Sequence, residues 1–71
     1  MASDQALRVT GVVVELLPSA LYRVELDDAR QVVAHAADTV HRNFVRLLAG
    51  DKVSVELAPN DRTRGRITRK L

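Results

Sequence analysis

A chain of 71 residues with no cysteine has only packing to hold it together. Disulfides, thiolate nucleophiles and cysteine-based zinc sites are all excluded at once. So short a chain makes one domain, and it buries only about 60% of the surface it exposes when unfolded. An open sheet of this size would leave long unpaired edges over a thin core, so a closed or nearly closed architecture is expected.

The order of local patterns says which one. Met1 to Ala6 is polar and aperiodic and reads as a flexible N-terminal tail, leaving 7–71 as the single domain. Leu7 to Leu16 is valine-rich, with Leu7, Val9, Gly11, Val13 and Glu15 on one side and Arg8, Thr10, Val12, Val14 and Leu16 on the other. This is a long strand, and its central glycine suits a bend or bulge. Pro18-Ser19 is a turn, after which Tyr22, Val24 and Leu26 alternate with Arg23, Glu25 and Asp27 as a second strand. Asp27 to Arg30 reads as a turn, and Gln31 to His35 as a short third strand.

The period then changes. Val40, Phe44 and Leu47 recur at helical spacing, Asp38 is placed to cap the first turn and Gly50 to close the last, so a short helix is expected here. Lys52 to Leu57 alternates again, Pro59-Asn60-Asp61 is a turn, and Arg64 to Arg69 around Ile67 is a fifth strand. Three strands, a helix and two strands in this length predict an all-β fold: a five-stranded Greek-key OB barrel with one short helix between strands 3 and 4. An SH3-like barrel is the competing architecture.

Charge is divided along the chain. Residues 1–40 carry three arginines against six acids, a net −3, whereas residues 41–71 carry eight cations against three acids, a net +5. Such an asymmetry points to a polyanionic partner for the basic half. Seven of its eight cations fall in two clusters: Arg42 with Arg46, four apart and hence on one face of the expected helix, and Arg62, Arg64, Arg66, Arg69 and Lys70. Arginine offers forked donors to phosphate. In an OB barrel the loop between strands 4 and 5 is a regular ligand-contact region, which places Arg62 and Arg64 there. A solvated basic surface is the plainer account of either cluster alone. Asn43, between the helical arginines, has the reach for a base edge or ribose hydroxyl.

Only Tyr22 and Phe44 are aromatic, and both fall on apolar faces that favour the core. Cold-shock domains stack bases on several exposed aromatics, so a cold-shock-type RNA chaperone is disfavoured and a folded RNA surface is the better ligand. A protein-binding SH3-like module would need an exposed apolar or aromatic groove that this composition does not supply. For catalysis there is little to work with. His35 and His41 lack partners at ligand spacing, Asp27-Asp28 sits in a turn, and three glycines make no phosphate loop. No metal, no cofactor and no enzymatic activity are expected. No apolar run is long enough to span a bilayer and no secretory pattern opens the chain, so the expectation is a cytoplasmic monomer.

Six segments stand in order along the chain: Gly11 to Pro18, Tyr22 to Leu26, Val33-Ala34-His35, Arg42-Asn43-Phe44-Val45-Arg46-Leu47-Leu48, Gly50 to Val53 with Val55-Glu56-Leu57, and Arg64-Gly65-Arg66-Ile67. Jointly, at this spacing, they resemble bacterial translation initiation factor 1. The resemblance implies an OB fold that occupies the aminoacyl site of the small ribosomal subunit. It implies contacts with ribosomal RNA and an adjacent ribosomal protein, and cooperation with initiation factors 2 and 3 around initiator tRNA. By position, Arg42, Asn43, Phe44, Arg46, Arg64 and Arg66 match the family's RNA-facing motifs, while Arg62 and Arg69 rest on charge alone. The chain departs from the family over Ala37 to His41, where Thr39 and His41 stand in place of cations and Asp38 adds an acid. Arg62 and Arg69 are placed to restore part of that charge.

Overall fold

The computed structural model describes residues 7–37 and 46–71. Five strands run in chain order: β1 (Leu7–Leu17), β2 (Leu21–Leu26), β3 (Gln31–Ala36), β4 (Lys52–Leu57) and β5 (Arg64–Lys70). They close into a barrel in the order β1-β2-β3-β5-β4, with β4 returning to β1. The β3–β5 pair is parallel and the other four are antiparallel. This is the OB-type barrel that the strand pattern predicted.

Alternation decides what goes inside. Val13, Val24, Leu26, Val32, Ala34, Val53, Val55, Leu57 and Ile67 are buried and form one core, with Val9, Tyr22 and Ala36 packed against it. Each fully buried aliphatic side chain contributes about 1.5–3 kcal/mol relative to its exposed state. Leu47 joins the same core from the segment before β4. That segment is held at the barrel end where β4 begins, because Gly50 N–H donates to the Val13 carbonyl at 2.7 Å and Val13 N–H donates to that of Asp51 at 2.9 Å.

The helix expected between strands 3 and 4 is corrected. Among the described residues there is no helix, and Arg46, Leu47 and Leu48, which were to form its last turn, have irregular backbone. Leu47 is buried as the stripe required, and the irregular backbone before β4 delivers it to the core as well as a last helical turn would. Isolated turns of helix have little intrinsic stability to impose a choice. Asp38, Val40, His41 and Phe44 lie outside the described residues, as does the tail expected over 1–6.

β1 serves two neighbours: Leu7 to Val12 pair with β4, and Gly11 to Leu17 pair with β2. Gly11 lies where both pairings overlap. A Cβ there would come within 2.7 Å of both the Glu25 carbonyl oxygen and a Val24 methyl, so close approach of β2, rather than a bulge at this position, excludes a side chain. The bulge falls three residues later, where Val13 faces Val24 but Glu15 faces Arg23, leaving Val14 as the extra residue. It reverses the expected phase. Glu15, which strict alternation put on the inner side with Val13, turns outward and meets Arg23 at 3.1 Å.

Candidate nucleic-acid interface

The β4–β5 loop is fixed by one carboxylate. Asp61 accepts from the Thr63 hydroxyl and from Thr63 N–H at 3.0 Å, while Ala58 N–H donates to the Arg64 carbonyl at 2.9 Å. The Thr63 hydroxyl and amide, with the Arg64 charge behind them, hold the Asp61 carboxyl below its ordinary 3.8. Arg62 and Arg64 project from this ordered loop into solvent, with the Arg64 Nε 3.7 Å from the same carboxylate.

From there β5 sets the direction of every cation. Ile67 points into the barrel, so Arg64 and Arg66 point out. Gly65 lies against β4 so closely that a Cβ would sit 2.8 Å from the Glu56 carbonyl oxygen. Strict alternation would next turn Arg69 inward. A second bulge prevents this: Val55 faces Ile67 but Ser54 faces Arg69, Thr68 being the extra residue, so Arg69 rejoins the outer face. At the far end Lys70 Nζ donates to the Arg46 carbonyl at 3.2 Å and lies 3.5 Å from Asp51. The backbone of the exposed Arg46 is thereby tied to the end of β5. Arg64 to Lys70 spans about 20 Å at the usual rise of a strand. That is more than half of the molecule's longest dimension of 35 Å.

Beside this stripe, the outer faces of β2, β3 and β5 and the β4–β5 loop enclose an open groove of about 680 Å³. Its rim carries Arg23, Gln31, His35, Arg64 and Arg66, and Val33 lines it where β3 meets β5. The groove arginines are tethered by acids: Arg23 by Glu15 at 3.1 Å, Arg64 by Asp61 at 3.7 Å, and Arg66 by Glu56 at 3.0 Å. Glu56 also binds Arg8 at 3.3 Å, which draws the outer face of β1 into the same network. Arg66 first, then Arg8, hold the Glu56 carboxyl below its ordinary 4.5. Ion pairs at the surface contribute little to stability, and each arginine keeps further donors free for a phosphate. By contrast, among the described residues Arg46, Arg62 and Arg69 form no ion pair.

Of the candidate residues, Arg62, Arg64, Arg66 and Arg69 come together along one loop and strand, and Arg46 adjoins the far end. Arg42, Asn43 and Phe44 lie outside the described residues. Three participants were missed: Arg8, Arg23 and Glu56. Their outward parity is readable from alternation, but the register that sets Arg8 and Arg66 opposite Glu56 is not. Among the described residues no group of three histidines or carboxylates is placed to hold a metal, and no helix is long and apolar enough to cross a membrane.

A closed five-stranded barrel with a stripe of outward arginines defines an OB-type nucleic-acid-binding protein. A family model narrows that class: the one described as Translation initiation factor 1A / IF-1 matches residues 2–71, and the chain belongs to this family. Among solved structures it is similar to translation initiation factor 1 from the Wolbachia endosymbiont strain TRS of Brugia malayi. The two share 38% identity at a TM-score of 0.79, over 99% of this chain and 83% of that one. It is also similar in fold to part of YjeQ from Thermotoga maritima, at 23% identity and a TM-score of 0.74, over 92% of this chain and 23% of that one. Membership of the family makes the chain an RNA-binding translation initiation factor and not an enzyme.

Proposed function

We infer that this initiation factor binds ribosomal RNA at the aminoacyl site of the small subunit, in the cytoplasm and as a monomer. There it lies beside a ribosomal protein and supports initiation factors 2 and 3 and the selection of initiator tRNA. The observation that carries this reading is the continuous face formed by Arg62, Arg64, Arg66 and Arg69, with Arg46 held at its end. Arg42, Asn43 and Phe44 complete the proposed contact set. A rigid barrel displaying cations at fixed spacing matches phosphates that are themselves fixed, as on a folded RNA. Docking excludes other occupants from the site by volume, so no chemical step is needed.

The test is binding to isolated small subunits at several salt concentrations, with chemical footprinting of the decoding centre. Saturable binding should weaken with salt, because each phosphate contact releases counterions. Arg66→Ala and Arg46→Ala should each weaken it further and flatten the salt dependence by about one contact. Binding that ignores salt, or leaves the decoding centre unprotected, would rule this site out.

A further inference from the structure

The acid at the centre of the basic face calls for an explanation. Glu56 stands on the outer side of β4, opposite Arg8 of β1 in one ladder and Arg66 of β5 in the other. Its two oxygens are divided between them, Oε2 to Arg8 Nε at 3.3 Å and Oε1 to Arg66 Nη2 at 3.0 Å. The Glu56 side chain is only 19% exposed, whereas those of Arg8 and Arg66 are 75% and 53% exposed. Glu15 and Asp61, which tether the other groove arginines, are far more open at 58% and 48%. Glu56 is therefore the most enclosed of the tethering acids and the one that holds two cations at once.

We propose that Glu56 is a specificity-determining residue that occupies the anion position between Arg8 and Arg66, so that Arg8 joins the RNA face and loose single-stranded RNA is discriminated against. This rests on the reading that Arg66 faces RNA. Each guanidinium keeps donors free for phosphate beyond the one given to Glu56, but the trio presents a net charge of +1 where two bare arginines would present +2. A flexible strand must hold each phosphate on that local charge alone. A folded RNA surface also engages Arg64, Arg69 and Arg46 at fixed spacing, so it tolerates a weaker local attraction. The acid thus lowers affinity for the wrong ligand more than for the right one.

The experiment compares the full chain with Glu56→Gln, which keeps the shape and removes the charge, on an unpaired oligouridylate and on isolated small subunits. On the oligouridylate the variant should bind about threefold tighter, the scale of a partly exposed ion pair. Its salt dependence should steepen by roughly 0.7 for each cation released. The gain on subunits should be smaller. Adding Arg8→Ala should cost more oligouridylate affinity in the Glu56→Gln background than in the parent, a coupling that a merely structural Glu56 would not produce. Unchanged oligouridylate binding in a folded variant, an equal gain on both ligands, or no coupling to Arg8 would each overturn the proposal. Failure of the parent to bind subunits would overturn the docking reading and with it the specificity role, while the oligouridylate gain and its coupling to Arg8 would still decide whether Glu56 restrains single-stranded binding.

Discussion

Ala29 sits in a backbone region that suits glycine. Its φ is 72°, in a turn closed by Ala29 N–H donating to the Leu26 carbonyl at 2.9 Å and Leu26 N–H donating to that of Arg30 at 2.7 Å. Asp28 pins the same turn, accepting from Arg30 N–H at 3.1 Å and from its Nε at 2.8 Å. A left-handed alanine costs roughly 1–2 kcal/mol, and glycine would return about half of that relief through its greater freedom when unfolded. Ala29→Gly is therefore expected to stabilise the chain by about 0.5–1 kcal/mol. In a domain of this size that is a rise of about 4 °C in the thermal midpoint, measurable by circular dichroism. A lower midpoint would show that Asp28 and Arg30 hold the turn without strain at Ala29.

For individual elements, alternation located all five strands to within a residue or so of their observed bounds, because a barrel strand has one wet and one dry side. Alternation also carries phase without interruption, and so it misplaced Glu15 and could not foresee that Arg69 faces outward: nothing local in Val14 or Thr68 marks the extra residue. Likewise helical spacing put Leu47 on the buried stripe but did not separate a last helical turn from the irregular backbone of Arg46 to Leu48 that delivers it to the core. The expected barrel implies which strands are neighbours, but the register that sets Arg8 and Arg66 opposite Glu56 was not legible, and the Arg8–Glu56–Arg66 network depends on it. β5 tests how firmly the core holds an element. Ile67 is its only fully buried large side chain, and Ile67→Ala should cost about 2–5 kcal/mol. That is a large share of the roughly 4–10 kcal/mol available to such a domain. Urea denaturation should show a transition shifted far down or lost, and Ile67→Val should shift it by only about 1 kcal/mol. An unshifted alanine variant would mean that β5 is held by its ladders alone.

Taken whole, the molecule should be sensitive to acid. Asp28, held by Arg30, Glu56, held by Arg66 and Arg8, and Asp61, held by Thr63, all have carboxyls below their ordinary values of 3.8, 4.5 and 3.8. A carboxyl lowered by folding stabilises the fold fully above its unfolded value and loses that contribution as pH falls through its folded value. The thermal midpoint should therefore stay level down to about pH 4.5 and decline below it, with Glu56→Gln removing the earliest part of the decline. A decline that begins well above that pH would place the cause in another group. Closure of the barrel has a consequence for how the chain folds. β5 lies between β3 and β4 in the closed order. Its pairing with β4 is a local hairpin, but its pairing with β3 joins residues as far apart as Val33 and Arg64. Pairings distant in sequence form slowly, and until this one forms β3 and β5 are open edges on which another chain can add a strand. The sealing strand is also the one that carries Arg64, Arg66, Arg69 and Lys70. With β5 as the proposed RNA face, binding and protection from aggregation arise in the same folding step, and a variant that loosens β5 should lose solubility and binding together.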